Sequence, residues 1–298
     1  MTSTVARPRL DSTPRAAVGQ LARLEARRML RHPAPWVGLA VTAWFAVGVF
    51  DADWSAAHYE GLVAALTPLL LGVTVAAASA FAREQTAVSD DAPVDRRQRS
   101  LARLLGGLSL VGMVGLITVG AAVWLRIRGG LALGDEPGRT AHAHYSVPEL
   151  LQPVLLAAFA VALGAVLVRL LRHPLAASVV AFVIWFLLGA TYWVLNTPVL
   201  RWLTPVQVQP VPVEIGPAAT DPSTFPATWL LSAPGEYQEH WIRLVVSPTM
   251  AGWHDVYVAA LTVLLAAAVV PGRYRRPFVV AAVVVAAGAV LMQRTVLP

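Results

Sequence analysis

The sequence predicts an all-α polytopic membrane protein, a bundle of six to seven transmembrane helices with an N-terminal interfacial elbow helix and a small outer cap. Three observations predict it. Seven apolar stretches, at about 35–50, 61–82, 101–125, 150–168, 175–195, 254–270 and 277–292, recur along the 298 residues. Hydrophobic residues make up 57% of the chain and charged residues only 13%, and the cores of the stretches are almost free of charge. Arginines gather in alternate connections between the stretches. A hydrocarbon core about 30 Å thick needs roughly 17–25 apolar residues per helix. Within it every backbone polar group must be satisfied inside its own segment. The second and third stretches meet this outright, whereas the first, sixth and seventh are short and rely on flanking residues or tilt.

Residues 1–14 are rich in Pro, Ser, Thr and Arg and read as a disordered cytoplasmic tail without the apolar core of a signal peptide. Residues 15–33 read as an amphipathic interfacial helix. On a helical wheel Val18, Ala22, Ala26 and Met29 share an arc with Leu21 and Leu30 at its edges, and Arg23, Arg27, Arg28 and Arg31 take the opposite half. Glu25 falls inside the apolar arc. Two placements fit: a helix lying on the inner leaflet with its arginines toward anionic headgroups, and a solvated lead-in helix. His32-Pro33 and Pro35 break the helix just before the first span, which favours the first placement.

Spans one to five occupy 34–197. The loop 51–60 is short and makes the first two spans a helical hairpin, with Trp36, Trp44, Trp54 and Tyr59 partly placed for interfacial belts. Thr67-Pro68 lies inside the second span, where a proline frees a carbonyl and kinks the helix, as a moving part or passively. The connection 83–100 is the most informative. Arg83-Glu84 ends the second span, an acidic turn (Asp90, Asp91) and Pro93-Val94 follow, and Asp95-Arg96-Arg97-Gln98-Arg99 leads into the third. Charge anchoring alone accounts for the arginines, though not for the alternation of acid, proline and base.

On the far side, residues 126–148 form a Gly-rich loop with His142-Ala143-His144, two ligands that fall short of a metal site. Residues 198–252 are broken by prolines throughout, which excludes a long helix. Val206, Val208, Val211 and Val213 change parity across Gln209-Pro210, so any strand there is irregular or at an edge. Thr228 to Leu231 and Tyr237 to Val246 read as short helices resting on the interface. The segment is too small for an independent domain and reads as an extracytoplasmic cap. Spans six and seven fill 253–298; the last has about sixteen apolar residues, so a re-entrant or interfacial placement is the alternative to a full crossing.

Seventeen of the 23 arginines fall on one side of this topology, giving net +11 against −5 across the membrane. Positive charge marks the cytoplasmic side, so the N-terminus is expected inside, and with seven spans the C-terminus outside. The pI near 10.4 then reflects topology and not nucleic-acid binding. The chain has neither lysine nor cysteine. That removes the P-loop lysine, the Schiff-base lysine, the serine–lysine dyad, thiolate catalysis and cysteine metal sites. Ser79, Ser109, Thr118, Ser178 and Thr191 are lone hydroxyls in the spans, suited to bonding their own helices or neighbours. No convincing catalytic group is buried in a span, and the lack of an Asp, Glu or His near the midplane counts against a proton-coupled carrier. No catalytic residue, cofactor or metal is predicted. If the protein moves something, free energy enters from a cytoplasmic partner.

With these residues in place the chain resembles the permease subunits of type-2 ATP-binding cassette exporters. The likeness rests on the elbow helix, on the order Arg83-Glu84, Thr86, Pro93-Val94, Arg96-Arg97 and Arg103, and on the outer segment between the fifth and sixth spans. The lysine-free stretch Leu24-Glu25-Ala26-Arg27-Arg28-Met29-Leu30-Arg31-His32-Pro33 looks actinobacterial. The resemblance implies a coupling helix in 83–100 that docks on a separate ATPase, with Arg83 and Glu84 transmitting movement and Thr86, Pro93, Arg96, Arg97 and Arg99 at the docking surface. It implies a homodimer or a paired related permease in the plasma membrane, and an apolar path through it would suit amphiphilic, drug-like or lipid-like cargo. Two departures stand: Ala87-Val88-Ser89-Asp90-Asp91 replaces the family's glycine and leucine run, and 277–292 adds a seventh span. Two other readings are a scaffold that binds a partner through the outer cap, and an enzyme acting on lipid through His142, His144, His240 and His254.

Overall fold

Helical periodicity and the prohibition on unpaired backbone in lipid act together, and every one of the seven apolar stretches becomes a helix in the computed structural model. The structure describes residues 14–50, 61–86, 95–130, 144–194, 202–206, 211–214, 226, 230–231, 242–272 and 275–296. Its helices are α1 (Pro14–Leu30), α2 (Pro33–Phe50), α3 (Gly61–Thr86), α4 (Arg96–Arg128), α5 (Val147–Leu171), α6 (Pro174–Val194), α7 (Pro248–Val269) and α8 (Arg275–Val296). Five helical segments are long and apolar enough to cross a bilayer: Ala65–Arg83 within α3, and all of α4, α5, α7 and α8. The chain is an all-α polytopic bundle of the multi-pass membrane type.

Helices α3 and α5 form its centre. Their apolar windows are each 61% buried, against 22% for α4 and 17% for α8. Helix α5 packs on α3, α4, α6 and α7; α2 packs on α3, and α8 on α7. The α3–α5 contact is close because Gly164 has no side chain: a Cβ there would collide with the backbone oxygen of Thr74 and come within 2.9 Å of Ala78 N. Beside it Trp185 of α6 donates its indole N–H to Thr74 Oγ1 (2.9 Å), which itself donates to Leu70 O (2.9 Å).

The pattern Arg-x-Leu-Arg-His-Pro occurs twice, at 28–33 and 169–174. Each copy makes a corner at the arginine-rich end. Pro33 and Pro174 occupy the first helical positions, where no N–H is needed. The preceding histidines cap: His32 Nδ1 accepts from Ala34 N (3.2 Å) and His173 Nδ1 from Ala176 N (3.5 Å).

One expectation is corrected here. Residues 230–231 and 242–246 are strands, not interfacial helices: β1 (Val211–Glu214), β2 (Leu230–Leu231) and β3 (Ile242–Val246) form an antiparallel sheet in the order β1-β3-β2. Pro212 sits in β1, at the sheet edge, where a missing donor is tolerated. Helix α1 packs along α4, with Met29 buried against the bundle and Val18, Ala22 and Ala26 half-buried.

Candidate functional site

The residues singled out in 83–100 lie at the arginine-rich end, and the structure shows what holds them. Asp95 caps α4: its Oδ1 accepts from Gln98 N (2.6 Å), while Gln98 Oε1 accepts from Asp95 N (3.2 Å). This capping box satisfies two otherwise orphaned donors. Arg96, Arg97 and Arg99 therefore stand in the first turn of α4 and not in a loop. Arg96 and Arg97 are exposed and Arg99 half-buried; the Arg97 side chain lies over Gly272, in the turn between α7 and α8. Glu84 and Thr86 close α3, and Pro93 lies outside the described residues.

Arg83 meets a residue that a helical wheel alone makes look misplaced. Glu25 is 2% exposed, inside the packed face of α1. Its Oε2 accepts from Arg83 Nη2 (3.2 Å) and its Oε1 from Arg28 Nη1 (3.3 Å), with Arg103 Nε 3.9 Å away. Arg83 ends α3, and Arg103 belongs to the second turn of α4. One buried carboxylate thus ties the elbow helix to both stems of the connection. A carboxylate in that position requires such partners, because desolvation penalises an isolated charge heavily. Arg103 is itself 7% exposed, with its guanidinium 5.9 Å from the centre of the Phe81 ring. A second arginine extends the lattice: Arg169 of α5 donates to Ser100 Oγ (3.3 Å) and Ala268 O (3.4 Å), joining α5 to the start of α4 and the end of α7.

No group of three His, Cys, Asp or Glu side chains able to hold a metal occurs among the described residues. Glu25 joins α1 to both stems of the connection, and Arg169 joins the start of α4 to α5 and α7.

The opposite end buries ionisable groups in the first turns of α5 and α7. His254, Asp255 and Glu149 are 2%, 5% and 5% exposed, with Gln152 and Gln293 buried as well. Glu149 closes a cap, accepting from Ser146 N (2.8 Å) and Ser146 Oγ (2.7 Å). That Ser-x-x-Glu spacing was readable in the sequence. His254 lies between two carbonyl oxygens, Gln293 Oε1 at 3.2 Å and Pro205 O at 3.1 Å, and so joins α7, α8 and the segment 202–206. Tyr257 adds a hydrogen bond to Leu203 O (2.6 Å). Both oxygens of Asp255 lack a hydrogen-bond partner among the described residues. Of the other histidines singled out, His144 is exposed, and His142 and His240 lie outside the described residues.

Compared with protein-family models, curated proteins and solved structures, the chain matches none.

Proposed function

We propose that the chain is the permease subunit of an ATP-driven exporter of the type-2 ATP-binding cassette kind, working with a separate cytoplasmic ATPase. The observation that carries this reading is the Glu25 junction. A connection meant to receive movement from a soluble motor needs rigid stems, and Arg83 and Arg103 give it a shared anchor on α1. In this scheme ATP binding draws two ATPases together and displaces 83–100, and the bundle tilts to open a path. The permease contributes shape and differential contacts. It pairs with a second copy or a related permease. The apolar surfaces of α4 and α6 suit lipid, a pairing subunit and amphiphilic cargo. The burial of His254 between two carbonyls fits a structural role better than the lipid-enzyme alternative.

The test is co-purification with the ATPase followed by nucleotide-driven efflux from vesicles. Glu25→Gln takes away the negative charge that Arg83 and Arg103 share, and one of its two acceptor oxygens. It is expected to keep the ATPase bound while lowering efflux about tenfold, with a loss of stability on the order of 1–3 kcal/mol, the size of a hydrogen-bonded charge. Arg96→Gln with Arg97→Gln is expected to weaken ATPase association itself. Cargo movement by the chain alone, without a nucleotide-hydrolysing companion, would refute the scheme.

A further inference from the structure

Three acids are buried among the described residues, and their surroundings differ. Glu25 has Arg28, Arg83 and Arg103 about it. Glu149 closes a cap, accepting from the N–H and the hydroxyl of Ser146. Asp255, in the second turn of α7 at the end remote from the arginines, has neither kind of support. It is 5% exposed, and no hydrogen bond reaches Oδ1 or Oδ2.

The groups around Asp255 do not compensate a negative charge. Helix α7 packs on α5 and α8. From α5 the group that acts on Asp255 electrostatically is Glu149, a second carboxyl. Tyr145, just before α5, feels the same Glu149 and stays a neutral phenol. At this end α8 offers the uncharged Gln293, bonded to His254, and Arg294, which is exposed. Segment 202–206 has no ionisable side chain. On α7 itself His254 and Tyr257 are engaged by Gln293, Pro205 and Leu203. An ionised carboxylate buried without a partner costs more than taking up a proton, and two carboxylates sharing a site resist ionising together. Calcium would cancel the charge as well, but it takes about six to eight oxygen ligands. No group of three acidic or histidine side chains occurs among the described residues to supply them. A proton needs one oxygen.

We propose that Asp255, facing Glu149 where α5 and α7 meet, is a proton-binding site, and that its proton latches segment 202–206 onto the bundle. The same stretch of α7 carries His254 and Tyr257, which hold Pro205 and Leu203. Loss of the proton sets two like charges between α5 and α7, draws Asp255 toward water and loosens that segment. The packed form binds the proton more tightly than the loosened one, so rising pH releases the latch. Glu25 lies at the other end of the bundle, so the buried acids form a local site and not a relay across the membrane. The inference does not depend on an ATPase.

The test uses the full chain in lipid nanodiscs and two readouts. Near pH 6 a solvated aspartate is ionised. Infrared spectra of the wild-type chain are expected to show the C=O stretch of a protonated carboxyl there, and Asp255→Asn, which has the shape of the protonated form, to lose one carboxyl of that intensity. Absence of the band from the wild-type chain, or unchanged intensity in the variant, overturns the proposal. The second readout uses Val206, which is 6% exposed in a chain without cysteine, so Val206→Cys gives a maleimide one target. Its labelling rate, divided by the rate in the Asp255→Asn background, is expected to rise several-fold between about pH 6 and pH 8.5. The division removes the thiol's own response to pH. A constant ratio overturns the latch, and the wild-type infrared band decides the proton even if the variant fails to fold.

Discussion

His32 shows how much one side chain decides at the arginine-rich end. Its ring nitrogen accepts the N–H of Ala34, one of the donors that the start of α2 would otherwise leave unpaired. Burial, and then the nearby Arg83 guanidinium, hold its pKa below the ordinary value of 6.5. A lowered histidine stabilises the fold above the unfolded-state value and loses that contribution as pH falls through it toward the folded one. Melting followed from pH 7 to pH 5 should therefore show a fall for the wild-type chain, part of which disappears in His32→Asn. Asparagine keeps an acceptor at the cap and cannot take the proton. An identical pH profile for both chains would remove His32 from the account. Glu25 teaches a related lesson about legibility. The wheel placed it correctly within the apolar arc, yet its partner Arg83 is 58 residues away, and no local pattern reports a pairing at that range. Asp255 was hidden for another reason. Its acid stands early in an apolar run, and only packing on the rest of the bundle shows that it is buried.

At the scale of elements, the contact between α3 and α5 sets the bundle's centre and turns on an absent side chain. A Cβ at Gly164 meets the backbone of α3, which cannot move aside as a side-chain tip would. Gly112, on α4, has nothing within 4 Å of its would-be Cβ. Alanine raises helix propensity by up to about 1 kcal/mol at either place, so the two substitutions are expected to differ in sign. Gly112→Ala should leave the melting temperature level or raise it, whereas Gly164→Ala should lower it by an amount equivalent to about 1–3 kcal/mol, the usual cost of overpacking. Equal effects from both would mean that α3 and α5 do not approach as described. The same reasoning explains which elements the sequence disclosed. Long apolar runs have one solution in lipid, and all seven became helices, with ends reaching past the runs because charged residues such as Arg96 and Arg128 continue the backbone hydrogen bonds into water. The strands at 230–231 and 242–246 are not legible as strands in the sequence, because a short apolar run has no decisive period. Their identity depends on pairing across the cap, Leu231 with Val245 and Val213 with Arg243.

At the scale of the whole molecule, the unsettled point was whether the last apolar stretch crosses. Its helix proves longer than the apolar run suggested, because Arg275, Arg276 and Arg294 lie within it at the two ends. Helix α8 has 22 residues, which at 1.5 Å per residue is about 33 Å and exceeds a hydrocarbon core of roughly 30 Å. Its two ends are also fixed by what they touch. The turn that precedes it carries Gly272 against Arg97, at the end where α4 begins. Near its other end the buried Gln293 bonds His254 in the second turn of α7, alongside Pro205. A helix joined to the arginine-rich end at one terminus and to the 202–206 segment at the other runs the length of the bundle, which disfavours a re-entrant turn. On the proposed orientation, with the arginine-rich end cytoplasmic, α1 lies inside and the end of α8 outside. Exposed Gln20 and Thr295 report on this directly. In a chain without cysteine, Gln20→Cys and Thr295→Cys can each be treated with a membrane-impermeant maleimide on intact cells and again after permeabilisation. Labelling of Thr295→Cys in intact cells, with Gln20→Cys labelled only after permeabilisation, is the expected result. Protection of both positions until the membrane is opened would return the C-terminus to the cytoplasmic side, leave six crossings, and require the contact between Gln293 and His254 to form within one leaflet.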